Sequence, residues 1–224
     1  MHCGNTIKKS HDDHIPGKQF FPDPKPQPSE LIEVPSCRPC NIKFQPYENY
    51  VRSLLLFGTA GVSQEGEKLW EQKLNRTYQK DMGLKKIIAN SFQEVELRTP
   101  TGLYAGKRIM IKTQWNRVSM FITKLVRGLY YFEFEKVLPV PTHIDFPHIH
   151  AEFLPVSEFK IIPAPRYGKK SWKGIFEYRF GIFEEKPQES IWVFRMYDQN
   201  IFIAITCKPE DRDIDFERKF KQLS

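Results

Sequence analysis

Pro16, Pro22, Pro24, Pro26 and Pro28 crowd one short stretch of the chain and exclude from it a helix and most sheet pairing. Whatever lies on either side must therefore form separate elements joined by a long loop. Before the loop, residues 6–14 are short and polar and end in Asp12-Asp13-His14. After it, Glu30-Leu31-Ile32-Glu33-Val34 reads as a short strand that Pro35 stops. From Pro39 to Phe57 the apolar residues Phe44, Tyr47, Tyr50, Val51, Leu54 and Leu55 recur at helical spacing, with Pro46 as a kink or as the true helix start. The expected order is strand, long loop, strand, helix.

Gly58-Thr59-Ala60-Gly61 then reads as a break. Gln64 to Lys80 is highly charged, with Leu69, Trp70, Leu74 and Tyr78 as its few apolar anchors, and is expected to be a surface helix. From Leu84 the character changes. Between Trp115 and Phe134, Val118, Phe121, Ile122, Leu125, Val126, Leu129 and Tyr130 share one face of a helix. Beyond it, Phe176, Tyr178, Phe180 and Ile182 alternate with Glu177 and Arg179 as in a half-buried strand. Ile191–Tyr197 and Ile201–Thr206 flank Asp198-Gln199-Asn200 as a hairpin. The expected fold class is α+β: a small strand–strand–helix module over residues 1–57, a helical connector over 58–83, and over 84–224 an α+β domain with an antiparallel sheet and one prominent amphipathic helix.

No apolar run reaches membrane-spanning length, and Met1-His2-Cys3-Gly4 is followed by no apolar signal region, so a cytoplasmic location is expected. The net charge of +7 favours an anionic partner without naming one, and most of the excess lies beyond residue 60. The cysteines are Cys3, Cys37, Cys40 and Cys207. Without a secretory signal, Cys37-x-x-Cys40 suits zinc or redox chemistry better than a structural disulfide.

The chemistry concentrates in the first sixty residues. Phosphodiester hydrolysis needs a base to activate water and a divalent cation to stabilise charge at the phosphate. Histidine is the natural base near neutral pH, and Mg²⁺ prefers oxygen ligands. Asp13 and His14 are neighbours whose side chains point to opposite faces of a strand, which suits a division of labour between metal and base. Asn41 offers an amide oxygen at a helix start, and Cys37 with Cys40 has the spacing of a zinc knuckle.

Asp13-His14-Ile15-Pro16 followed by Val34-Pro35-Ser36-Cys37-Arg38-Pro39-Cys40-Asn41 resembles the HNH endonuclease superfamily, whose ββα-metal fold has an Asp-His on its first strand and a Cys-x-x-Cys-[His/Asn] on its helix. The Asn-terminated form is similar to the phage Holliday-junction-resolving branch. The longer pattern, with Val126–Tyr130, resembles a bacterial group of HNH proteins that carry a C-terminal domain of unknown role. The resemblance covers about a quarter of the chain. It implies DNA as partner, His14 as general base, Asp13 and Asn41 as Mg²⁺ ligands, and a structural zinc on Cys3, Cys37 and Cys40. Glu30 stands where the family has its middle Asn. The family's first Cys-x-x-Cys would open one residue before Met1, which implies a misplaced start; otherwise His2 or His11 must fill in, or the zinc site is weakened. The alternative is a zinc-stabilised nucleic-acid-binding or interaction module with a decayed nuclease site. A third option is a toxin-like effector that docks through the C-terminal domain.

Elsewhere, Lys18 and Arg38 flank the proposed site as phosphate contacts or as ordinary surface charge. Arg166 to Lys173, with Lys169, Lys170, Lys173, Tyr167 and Trp172, reads equally as a nucleic-acid contact or a basic hairpin tip. His143-x-Asp145-x-x-His148-x-His150 is interrupted by prolines and reads as a polar loop and edge strand rather than a second metal site. Cys207 is expected to be an inert buried thiol.

Overall fold

A two-stranded ribbon, a long helix and a central packing helix bring Asp13 and His14 against the rest of the fold. The computed structural model describes residues 11–59, 63–139, 143–145, 166–183 and 186–208. Strand β1 (His11–His14) pairs antiparallel with β2 (Glu33–Ser36), with Asp13 opposite Val34 and His14 opposite Glu33. Pro35 lies inside β2, opposite Asp12, rather than ending it. A two-stranded ribbon leaves an unpaired edge on each strand, where a proline's missing N–H costs no ladder bond. Helix α1 (Arg38–Thr59) follows at once, and the Asn41 N–H donates to the Cys37 carbonyl at 3.1 Å in its first turn. Pro46 lies within α1, so it does not mark the helix start.

The charged segment after α1 is built from short pieces rather than one surface helix. It comprises α2 (Gln64–Leu69), a π-helical turn over Trp70–Leu74, α3 (Asn75–Lys80) and α4 (Met82–Ala89). Ser63 caps α2 by accepting from the Gly66 N–H, and Asp81 caps α4 by accepting from the Leu84 N–H. Leu69 and Leu74 are fully buried, and Trp70 packs edge-on to Phe57 at 4.7 Å. Few apolar anchors suffice here because Leu69 and Leu74 are in the core and Trp70 and Tyr78 pack half-buried against it.

Strands β3 (Phe92–Arg98) and β4 (Tyr104–Ile111) form an exposed hairpin that closes at Thr99–Leu103. Helix α5 (Trp115–Phe134) carries the expected apolar stripe inward and ends at Glu135, whose φ of 53° stops it in the left-handed conformation. The remaining strands are β5 (His143–Asp145), β6 (Arg166–Tyr167), β7 (Phe176–Phe183), β8 (Lys186–Met196) and β9 (Asn200–Cys207). They form one antiparallel sheet in the order β5-β9-β8-β7-β6. His143–Asp145 is thus an edge strand, whereas His148 and His150 lie outside the described residues.

The fold is α+β, with helices and antiparallel sheets sharing one core. That core joins Ile15, Phe20 and Ile32 from around the ribbon to Tyr50 and Leu55 of α1, Phe121 and Leu125 of α5, and Phe176, Trp192 and Phe194 of the sheet. The Tyr197 hydroxyl reinforces the junction by donating to the Phe20 carbonyl at 2.8 Å. Among the described residues, no helix is long and apolar enough to cross a membrane.

Candidate active site

Between β1, the turn after it and the first turns of α1 lies a cleft of about 440 Å³, lined by His14, Asp13, Lys18, Arg38, Asn41 and Glu48 among others. The ribbon brings Asp13 and His14 to it, and α1 brings Asn41, Gln45 and Glu48, which share a helix face at spacings of four and three. Residues the sequence marks as chemically active therefore meet in one concavity, across the proline-rich loop that separates them in the chain.

His14 is half-buried, and its Nε2 lies 2.8 Å from Glu33 Oε1 on the adjacent strand. A carboxylate can only accept, so the Nε2–H donates and the neutral imidazole keeps its basic lone pair on Nδ1. Burial lowers the His14 pKa below its ordinary 6.5, and the nearby Lys18 ammonium lowers it further. Glu33 and Asp13 act in the opposite sense without cancelling these effects. The shift favours the neutral imidazole, and the Glu33 contact holds the ring in one orientation.

Asp13 is turned inward and almost fully buried. Its Oδ1 accepts from the His14 backbone N–H at 2.9 Å and from Lys124 Nζ at 2.9 Å. Lys124 comes from α5, is itself 1% exposed, and also donates to Glu48 Oε1 at 2.9 Å. Glu48 further accepts from the Gly17 N–H and from Gln19 Nε2. Desolvation raises the Glu48 pKa, Lys124 opposes the shift, and the neighbouring Asp13 adds to it. One ammonium between two buried carboxylic groups meets the need for internal charge pairing, and the raised Glu48 pKa shows that this pairing does not fully offset burial there. Gly17 admits this arrangement: a Cβ there would fall 2.8 Å from Glu48 Oε1.

The donors in the cleft suit a hard dication. Asp13 and Asn41 line it with oxygen-bearing side chains, and Mg²⁺ typically takes one or two carboxylates and keeps several waters. Among the described residues, no group of three or more His, Cys, Asp or Glu side chains is gathered around a point. Cys37 and Cys40 lie half-buried at the start of α1, outside any disulfide, while Cys3 and His2 lie outside the described residues. Cys207 is half-buried at the end of β9 rather than fully buried.

Lys18 and Arg38 are exposed at the cleft. Lys169 and Lys170 serve elsewhere. Lys169 Nζ donates to the Glu133 carbonyl at 2.8 Å and the Phe132 carbonyl at 3.4 Å, at the end of α5. Lys170 Nζ donates to the Ser29 and Leu31 carbonyls at 2.9 and 3.0 Å, tying the proline-rich loop to the C-terminal half. Lys173 is exposed. Sequence reasoning missed Glu33, Glu48 and Lys124. Signals for the last two were present: Glu48 lies seven residues after Asn41, and Lys124 is a lone cation inside an apolar helical stripe.

No protein-family model matches the chain, and no curated protein or solved structure matches it either.

Proposed function

We propose that this chain is an HNH-type endonuclease that hydrolyses DNA phosphodiester bonds with the help of Mg²⁺. His14 is the general base, taking the proton of the attacking water on Nδ1 while Glu33 fixes the ring through Nε2. Asp13 and Asn41 would hold the cation, which supplies charge stabilisation at the phosphate and the leaving oxygen. Cys37 and Cys40, with Cys3, would hold a structural zinc that pins β2 to α1. Lys18 and Arg38 at the cleft mouth suit the phosphate backbone of the substrate, and residues 84–224 serve target choice or regulation.

The observation that carries this reading is the convergence of a neutral, carboxylate-oriented histidine with Asp13 and Asn41 in one cleft. Purified protein incubated with supercoiled plasmid and Mg²⁺ tests it. Nicking that disappears with EDTA and in His14→Ala supports the nuclease, and folded, zinc-loaded protein that leaves the plasmid intact overturns it. A second reading, a zinc-stabilised nucleic-acid-binding module with a decayed site, draws on the Lys124 ammonium already paired with Asp13. It predicts DNA affinity that survives His14→Ala without any cleavage.

A further inference from the structure

Lys124 belongs to α5, remote in sequence from the strand and helix that build the cleft, yet its ammonium lies between two acidic residues of the cleft lining. It donates to Asp13 and Glu48 at 2.9 Å each, and all three side chains are nearly inaccessible to solvent. Resting on the nuclease reading, this geometry carries a consequence for how a metal reaches Asp13.

A dication bound at Asp13 would share that carboxylate with a fixed ammonium, and like charges at the edge of a protein interior repel more strongly than in bulk water. Lys124 cannot withdraw into solvent, because it is held by two carboxylates within the core. A phosphate entering the cleft would add negative charge beside the cation and offset the repulsion. We propose that Lys124 makes loading of the divalent cation at Asp13 conditional on a nucleic-acid phosphate, so that cation and DNA bind cooperatively and the free protein stays metal-poor. Cooperativity of this kind is a coupling free energy between two ligands and must act equally in both directions.

The local charge can be stepped by substitution. Lys124→Gln removes the ammonium and leaves two carboxylates, whereas Glu48→Gln removes a carboxylate and keeps the Asp13–Lys124 pair. Binding of Mn²⁺, followed by loss of the free-ion EPR signal, reads the site without requiring turnover. Without DNA, Lys124→Gln is expected to bind Mn²⁺ about tenfold more tightly than the unsubstituted chain, and Glu48→Gln about tenfold more weakly. In a His14→Ala background that keeps DNA intact, a short duplex is expected to tighten Mn²⁺ binding about tenfold, and far less once Lys124→Gln is added.

A purely structural lysine would give the opposite result, since its loss would disorder Asp13 and weaken the metal. Unchanged or weaker Mn²⁺ binding by folded Lys124→Gln overturns the inference, as does a duplex that leaves Mn²⁺ affinity unchanged. If Lys124→Gln does not fold, Glu48→Gln decides, and undiminished affinity there overturns it. Equal Mn²⁺ binding by Asp13→Asn and the unsubstituted chain removes the metal site itself, and the inference with it. Asp13-dependent binding that follows the charge steps in a protein that never nicks plasmid supports the inference while refuting the nuclease.

Discussion

His14 and Glu33 sit directly opposite each other across the β1–β2 ribbon, and their side chains meet at 2.8 Å. Strand register alone sets this pair, because opposed residues on one face of a ribbon have adjacent Cβ atoms. Glu33 thereby selects the tautomer that leaves His14 Nδ1 basic. Glu33→Ala should lower kcat for plasmid nicking by about ten- to a hundredfold, with a smaller change in KM, because it removes orientation rather than binding. Steady-state kinetics on a defined duplex checks the split. An unchanged kcat would place the imidazole's orientation elsewhere.

The depressed His14 pKa gives a signed pH dependence. The rising limb of kcat/KM should have its midpoint below the ordinary imidazole value of 6.5. Lys18→Gln removes a repelling charge and should move that limb up, whereas Glu33→Gln removes a carboxylate that favours the imidazolium and should move it down. The same shift links to stability. Native His14 binds its proton less readily than unfolded His14, so its contribution is fully present above pH 6.5 and is lost as pH falls through the native pKa. Chemical denaturation over that window, with His14→Ala as reference, measures it.

A glycine in α5 reaches the same region. A Cβ on Gly128 would lie 2.5 Å from Ile15 Cγ1, and Ile15 is a fully buried residue adjacent to His14. Gly128→Ala should therefore cost about 1–3 kcal/mol through overpacking, despite alanine's better helix propensity. At roughly 2–4 °C per kcal/mol for a chain of this size, the Tm should fall by several degrees. A rise in Tm would mean that Ile15 moves aside freely.

Local signals in the sequence were legible and distant ones were not. The apolar period between Trp115 and Phe134 defines α5, and the alternation around Tyr178 and the Asp198-Gln199-Asn200 turn locates β7, β8 and β9. Asp13, His14 and Asn41 carry their chemistry in their identities and converge as the strand–loop–strand–helix order requires. Lys124 could not be placed from spacing, because its meeting with Asp13, 111 residues away in the chain, depends on how α5 packs against the ribbon and α1. The β3–β4 hairpin was missed because charges on both its faces obscure the alternation. Its turn signal was there in Pro100 and in Gly102, whose φ of +85° suits glycine. Pro35 misled because a proline ends a central strand but is tolerated in a ribbon with an open edge.

Lys170 separates a structural lysine from a nucleic-acid contact. Its ammonium donates to the Ser29 and Leu31 carbonyls, where the proline-rich loop turns into the ribbon that carries Glu33. Lys170→Met leaves those carbonyls without their charged donor, at a cost of about 1–3 kcal/mol. It should lower the Tm and speed protease cleavage between residues 22 and 28, while the salt dependence of DNA affinity stays the same. Lys18→Gln at the cleft mouth should do the reverse, leaving the Tm within a degree or so and reducing the salt slope by about one. Fluorescence anisotropy with a labelled duplex at several salt concentrations, alongside thermal unfolding, distinguishes the two. A reduced salt slope in Lys170→Met would return the Arg166–Lys173 segment to the nucleic-acid interface, and an unchanged slope in Lys18→Gln would remove the cleft mouth from it.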